Sequence, residues 1–200
     1  MVITTYGADH WPIIASERAY PSALKQNAYE VILHHSPELE IGPARNEAAK
    51  QATGEWLLFL DADDELSDHY VLHMTDAICA QGRPEPALLQ PSVCYVRKGH
   101  KGPTYLAPEK DLSSDNYLVI GTVVRRKVFE AVGGFSDYPH GFEDWSLWAK
   151  CWKYGAKVYP VPKAVYYAHI NPQSKHRTMW RDRKWQVATH MRVQAELFPQ

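Results

Sequence analysis

Three aspartates follow directly on an apolar stretch of the sequence. Residues 56–60 form an uninterrupted apolar run, and Asp61, Asp63 and Asp64 come immediately after it. Such a run is typical of a strand that is buried on both faces. Carboxylates so close together repel one another unless a cation or a proton lies between them. A hard divalent ion, Mg²⁺ or Mn²⁺, is the expected occupant, and it would keep coordination positions open for phosphate oxygens.

Other interpretations of this acidic turn can be tested on its residues. A calcium-binding EF-hand loop requires glycine at its sixth position and glutamate at its twelfth, where a count from Asp61 finds Leu66 and Leu72. A phosphatase that forms an aspartyl-phosphate requires threonine or valine where Glu65 stands, so a metal-dependent phosphatase is a weaker alternative. A simple cap for the next helix needs only one carboxylate.

A second acidic pair, Glu143 and Asp144, follows a glycine-rich turn and opens a predicted helix. Carboxylates at a helix N-terminus are favoured by its partial positive charge, so the pair is either a cap or a catalytic group. Trp145, Trp148 and Trp152 follow at helical spacing, which predicts a buried stripe on that helix.

The elements that must position these groups alternate between strand-like and helical segments. Pro43 can open a helix because its missing N–H is not needed there, and Gly54 stands where that helix would end. Ala44, Ala48 and Ala52 recur between them and give the helix a narrow face for close packing on a sheet. The pattern predicts an α/β domain on a largely parallel sheet, with ligands bound at the carboxyl ends of its strands.

Length and composition limit the class of protein. The 200 residues suggest one domain, and 22 basic against 23 acidic side chains provide no general attraction to nucleic acid or anionic membranes. The three cysteines are scattered and odd in number, which fits neither a disulfide framework nor a zinc site. No signal peptide and no membrane-spanning apolar run is recognisable, so we expect a cytoplasmic protein.

Residues 171–200 differ from the preceding 170 in composition, with six basic side chains against two acidic ones. Val187, Met191, Ala195 and Phe198 lie at near-helical spacing, which predicts an amphipathic helix that packs on the domain and exposes a basic face. A peripheral membrane contact, a dimer interface and a role beside a diphosphate remain open.

The chain resembles a family 2 glycosyltransferase of the GT-A fold in five segments that follow the family's order: ITTYG, GPARNEAAKQATGEWLLFLDADDEL, VGGF, GFEDWSLW and YYAHINPQS. The resemblance implies a Rossmann-like domain over residues 1–170, with a mostly parallel central sheet flanked by helices. It also implies an enzyme that moves a sugar from a nucleotide-sugar donor to an acceptor hydroxyl, with inversion at the anomeric carbon.

The resemblance implies a role for each acidic group. Asp63 matches the ligand of the Mn²⁺ or Mg²⁺ ion that bridges the donor diphosphate. His169, which alone is more typical of a structural hydrogen-bonder, matches a histidine that completes the metal shell. Asp144 matches the general base, with Glu143 beside it. Inverting transfer requires both a base for the acceptor and a charge to neutralise the departing diphosphate.

The nucleotide side is implied in the same way. Thr5 and Tyr6 match residues that line the nucleotide pocket, Asp61 matches a contact of the donor ribose, and Arg45 matches a donor-side residue.

One departure concerns the nucleobase. The family commonly has an aspartate after its second strand, where this chain has His34 and His35. Neither the donor base nor the sugar follows from the sequence, and the acceptor is open among protein, lipid, glycan and modified nucleic acid. A non-catalytic module that binds a sugar nucleotide or a glycan is the alternative function.

Overall fold

The computed structural model describes residues 1–138, 141–170 and 183–199. Its strands are β1 (Val2–Tyr6), β2 (Ile32–Ser36), β3 (Trp56–Leu57), β4 (Phe59–Asp61), β5 (Glu65–Leu66), β6 (Ala87–Arg97), β7 (His100–Tyr105), β8 (Val123–Arg125) and β9 (Lys157–His169). Its helices are α1 (His10–Glu17), α2 (Ala19–Leu24), α3 (Ile41–Ala49), α4 (Tyr70–Ala80), α5 (Arg126–Ala131), α6 (Glu143–Lys153) and α7 (Arg183–Leu197). The predicted α/β class is confirmed.

The first sheet is parallel throughout and has the order β2–β1–β4. Val2 of the central strand pairs with Ile32 on one side and with Phe59 on the other. Helix α3 packs on β1, and its Ala44 and Ala48 are fully buried, because only small side chains allow so close an approach. Parallel pairing brings the carboxyl ends of β1 and β4 to the same edge of the sheet.

The second sheet is mixed and has the order β3–β8–β6–β9–β5, with β7 also paired to β6. Only the β6–β9 pair is parallel, and it runs from Ala87 opposite Lys157 to Val96 opposite His169. The remaining pairs of this sheet are antiparallel. The predicted parallel arrangement therefore applies to the first sheet and to β6–β9.

Residues 97–108 are rich in Gly, Pro and Lys, a composition typical of a loop, yet they contain strand β7. Lys98 and Gly99 both have positive φ, 50° and 79°, and connect β6 to β7 as a two-residue hairpin turn. Turns of this kind match the twist of the strands that they join. The sequence cue was a Lys-Gly pair between two strand-like stretches.

The single strand predicted over residues 56–60 is divided between the two sheets. Trp56 and Leu57 pair with β8, whereas Phe59 and Leu60 pair with β1. The chain crosses from one sheet to the other at Leu58, and residues 57–60 are all buried. The apolar run therefore joins the sheets and ends at Asp61 on the edge of the first one.

The tryptophan stripe of α6 is buried over only part of its length. Trp145 and Trp148 are fully buried, but Trp152 is 40% exposed and lies against Phe198, beyond the end of α7. The last turn of α6 ends at the surface, which explains the exposure of Trp152.

Helix α7 follows residues 171–182, which, like residue 200, lie outside the described part of the chain. The predicted apolar stripe packs in part, at Phe198, whereas its members Val187 and Met191 are 51% and 62% exposed. The fully buried side chain of the helix is Val193, which is not in that stripe. The helix packs on α6, and hydrogen bonds from His190 and Gln194 to loop carbonyls set its rotation. No helix within the described residues is long and apolar enough to cross a membrane.

Candidate active site

One open cleft of ≈ 1460 Å³ lies at the edge where β1 and β4 end, and the start of α6 and the end of β9 border it. All eight side chains proposed from the sequence as site residues line it: Thr5, Tyr6, Arg45, Asp61, Asp63, Glu143, Asp144 and His169. The fold therefore brings together groups that are far apart in the sequence, while their individual roles remain predictions.

The acidic turn after β4 is fastened to strand β9 through Asp64. Asp64 is buried and accepts hydrogen bonds from the Tyr166 hydroxyl at 2.8 Å and from the backbone N–H of His169 at 2.7 Å. Burial, and then the charges of Asp61 and Asp63, raise the pKa of the Asp64 carboxyl well above its usual range. Asp64 thus holds the end of β9 against the turn, which leaves Asp61 and Asp63 at the cleft.

The two proposed metal ligands, Asp63 and His169, both line the cleft. Nε2 of His169 lies 2.7 Å from Glu65 Oε2, so Nδ1 is the ring nitrogen left for another ligand. Burial lowers the pKa of His169, which favours the neutral imidazole that binds metals. A carboxylate and a neutral imidazole are suitable ligands for Mn²⁺.

Among the described residues there is no group of three or more His, Cys, Asp or Glu side chains placed to hold a metal ion. An ion bound by Asp63 and His169 would have to take its remaining ligands from water or phosphate oxygens.

Arg45 lies between the two acidic groups of the cleft. One guanidinium nitrogen is 2.5 Å from Asp61 Oδ1 and the other is 2.6 Å from Glu143 Oε1. Burial alone would lower the pKa of Arg45, but the charges of Asp61 and Glu143 outweigh it and raise the pKa above its ordinary value. Arg45 therefore remains a cation and neutralises part of the acidic charge around it.

In the acidic pair of α6, Asp144 is the residue whose pKa is strongly raised. Burial, and then the charge of Glu143, raise its pKa to about 7. Its Oδ1 accepts the backbone N–H of Trp145 at 2.7 Å, and its Oδ2 accepts the side-chain amide of Asn116 at 3.1 Å. A carboxylate with a pKa near the working pH is suited to accept a proton from a substrate.

The nucleotide side of the cleft is formed at the end of β1. The Thr5 hydroxyl lies 2.9 Å from Nδ1 of His35, and burial raises the pKa of Tyr6 to about 12. The His34 ring bonds Ser36 and Glu47, and it does not line the cleft. His35 likewise does not line the cleft, so neither of the two histidines of β2 borders it.

Helix α7 closes the side of the cleft next to the acidic pair. The Trp185 ring stacks on Phe142 at 5.9 Å, and the His190 ring lies 4.7 Å from Trp145. Val187 and Met191 are exposed into the same cleft. Their apolar spacing in the sequence therefore marks a wall of the site and not a packing face.

Sequence reasoning missed Asn116, Tyr166 and Arg18, of which Arg18 donates to the backbone carbonyl of Asp63 at 2.9 Å. Asn116 and Tyr166 hold Asp144 and Asp64 from segments 28 and 102 residues away in sequence. The one sequence signal for such a role was that Tyr166 begins the segment YYAHINPQS, which carries part of the family resemblance.

Comparisons with known proteins agree with this architecture. The model of the family described as Glycosyl transferase family 2 matches residues 16–132, which is more than half of the chain. The match includes Arg45 and the acidic turn, whereas Glu143, Asp144 and His169 lie beyond it. A search of curated proteins found no match.

Solved structures of TarS from S. aureus have a similar fold. One TarS structure superposes with a TM-score of 0.64 at 20% identity and covers 98% of this chain but 42% of the TarS chain. TarS 1–349 in complex with UDP-GlcNAc gives a TM-score of 0.67 at 19% identity and covers 98% of this chain and 70% of the TarS fragment. This chain thus spans less than half of the longer TarS chain, and the likeness confirms the GT-A fold.

Proposed function

The chain belongs to glycosyl transferase family 2, and from that premise we propose that it transfers a sugar from a nucleotide-sugar donor to an acceptor hydroxyl, with inversion and with a bound Mn²⁺ or Mg²⁺ ion. The observation that carries the proposal is the single cleft in which Asp61 and Asp63 share one space with Asp144. TarS has been crystallised with UDP and with UDP-GlcNAc, which makes UDP-GlcNAc the first donor to test.

On the donor side, Thr5 and Tyr6 would line the nucleotide pocket and Asp61 would contact the ribose. Each of the three lines the cleft at the ends of β1 and β4. Asp63 and His169 would hold the divalent ion, which when bound neutralises negative charge on the departing diphosphate. Glu65 holds the His169 ring at 2.7 Å and thereby fixes its orientation toward the cleft.

On the acceptor side, Asp144 would accept the proton of the attacking hydroxyl. The bond between the acceptor oxygen and the anomeric carbon forms as the bond from that carbon to the phosphate oxygen breaks, and the nucleoside diphosphate leaves. The hydroxyl proton passes to the Asp144 carboxylate, which the Trp145 N–H and the Asn116 amide hold in place. Glu143 lines the same cleft, but its Oε1 accepts a hydrogen bond from Arg45 at 2.6 Å, so that oxygen is already engaged with the cation.

The test uses water as the acceptor, because hydrolysis of the donor needs no knowledge of the natural one. We expect UDP release from UDP-GlcNAc that depends on Mn²⁺, and NMR of the first product should show the anomer opposite to that of the donor. Asp144→Asn should lower turnover by about 10²–10⁴-fold with little change in donor affinity. Asp63→Ala should instead remove Mn²⁺-dependent donor binding in calorimetry.

Asp76→Asn, at an exposed aspartate of α4 outside the cleft, is the matched control and should leave turnover unchanged. Tight donor binding without any turnover would indicate the non-catalytic binding module. Full turnover in Asp144→Asn would contradict the assignment of the base, and retention of the anomeric configuration would contradict the mechanism.

A further inference from the structure

Arg45 directly connects the donor-side carboxylate with the acidic pair of α6. Its guanidinium contacts Asp61 at 2.5 Å and Glu143 at 2.6 Å, and its side chain is only 6% exposed. The three residues belong to α3, β4 and α6, and Glu143 is 98 positions away from Arg45 in sequence. A buried cation is thus shared by two carboxylates from different parts of the site.

The geometry of these contacts suits a guanidinium and not an ammonium. Separate nitrogens, Nη2 and Nη1, serve Asp61 and Glu143, and the planar group fixes the angle between the two contacts. The ring of Phe135 lies 5.2 Å from the guanidinium carbon and supports its orientation. Lysine in this place would keep the charge but would have no fork with which to hold both carboxylates.

The contact with Glu143 also sets the start of helix α6. Glu143 is 11% exposed in its side chain, and its neighbour Asp144 lines the cleft. Without Arg45, Glu143 would be a nearly buried carboxylate without its cation, and it would turn toward water. Since Asp144 is the next residue, such a turn would displace the proposed base.

We propose that Arg45 is a positioning residue that fixes Asp144 relative to the donor motif, and that it does not bind the donor itself. The proposal rests on the glycosyltransferase function proposed above. Arg45 would set the distance between the donor motif and the base, because the same guanidinium holds Asp61 on one side and Glu143, the first residue of α6, on the other.

Two replacements of Arg45 test this role through the separation of turnover from donor binding. Arg45→Met should lower turnover of UDP-GlcNAc by about 100-fold, the size expected when reacting groups are misplaced by about 1 Å. The donor dissociation constant, measured by calorimetry, should rise less than tenfold. Arg45→Lys should recover only part of the turnover. A direct donor ligand would behave in the opposite way, with a larger loss of affinity than of turnover.

Arg125 provides the matched control. It also bridges two carboxylates, Glu55 at 2.8 Å and Glu85 at 3.3 Å, and its side chain is 14% exposed, but it does not line the cleft. Arg125→Met should reduce resistance to urea without changing turnover. An equal loss of turnover in both variants would reduce the effect of Arg45 to general stability and would overturn the proposal.

A stability cycle provides a readout that requires no activity. Asp61→Asn and Glu143→Gln, alone and combined, should be coupled about tenfold in the unfolding equilibrium constant, because one guanidinium links them. In the Arg45→Met background the coupling should disappear. If the two replacements show no coupling in the wild-type background while the protein turns over its donor, the proposed role of Arg45 is wrong and the proposed function is not affected. Failure to bind any nucleotide sugar would overturn the proposed function and this role with it.

Discussion

Replacing Asp144 by asparagine should stabilise the protein against unfolding, and the gain should increase with pH. The reason is that burial and the neighbouring Glu143 raise the pKa of Asp144 from 3.8 to about 7. A change of one in a pKa corresponds to about 1.4 kcal/mol, so the full difference corresponds to about 4 kcal/mol. Relaxation of the site and entry of water reduce this penalty, and we expect about 2–4 kcal/mol.

The sign follows from where the proton is bound. Below about pH 4 the carboxyl is neutral in both the folded and the unfolded chain, and its stabilising proton is fully present. Between about pH 4 and pH 7 the folded protein still holds a proton that the unfolded chain has released, so the free energy of unfolding falls as pH rises. Asparagine has no such proton, and the advantage of the variant therefore grows over this window and then levels off.

The replacement also changes a hydrogen bond, but this effect is separable. The side-chain amide of Asn116 donates to Asp144 Oδ2 at 3.1 Å, and its Oδ1 accepts the N–H of Leu118 at 3.0 Å. In the variant, Asn116 could accept a hydrogen bond from the new amide only by rotating its own amide group, which would break the bond to Leu118. The loss, about 1 kcal/mol, should be similar at every pH. The change of the stability difference with pH therefore reports the carboxylate alone.

The assay is urea unfolding followed by tryptophan fluorescence at steps between pH 4 and pH 8, for the wild type, Asp144→Asn and the exposed control Asp76→Asn. A stability difference between Asp144→Asn and the wild type that stays constant across these steps would refute the argument. Turnover should fall in the same variant, so the cleft would gain stability as it loses its base.

Two further changes test the packing behind the site. A Cβ at Gly121 would lie 2.3 Å from a ring carbon of Tyr166, so Gly121→Ala should lower the free energy of unfolding in urea by about 1–3 kcal/mol. Donor binding should also weaken, because the displaced Tyr166 ring would lose its hydrogen bond to Asp64. An unchanged free energy of unfolding would show that the ring has room to move. Val193→Ala removes two buried methyl groups from α7 and should lower the free energy of unfolding by about 2 kcal/mol. The control Met191→Ala, at an exposed position of the same helix, should lower it far less. Equal effects would mean that the helix does not pack as described.

The parts of the site that could be predicted from the sequence are those encoded by neighbouring residues. The acidic turn directly follows its apolar run. The run contains strands, and Asp61 lies at the carboxyl end of β4 beside the cleft, as the local pattern predicts. Resemblance to the family supplied Asp144 and His169, which local pattern alone leaves undecided. The family and the fold class are confirmed, while the metal and the individual roles remain predictions.

What the sequence could not provide depends on contacts between distant segments. Arg45 was singled out as a donor-side residue, but nothing near it in sequence indicates that Glu143 is its second partner. The division of residues 56–60 between two sheets depends on which strands lie alongside, and an apolar run is the same in either case. The rotation of α7 likewise depends on loop carbonyls that meet His190 and Gln194 from the other side.

Helix α7 is attached to the loop that supports Asp144, which affects which part of the protein unfolds first. His190 and Gln194 bind the carbonyls of Ser114 and Ser113, and the same loop carries Asn116 to Asp144. We therefore expect the helix and this loop to unfold locally as one unit while both sheets stay intact. Backbone amides of α7 should then exchange with solvent through an opening less costly than global unfolding, and each such opening would leave Asp144 without its outer support while the nucleotide pocket remains formed.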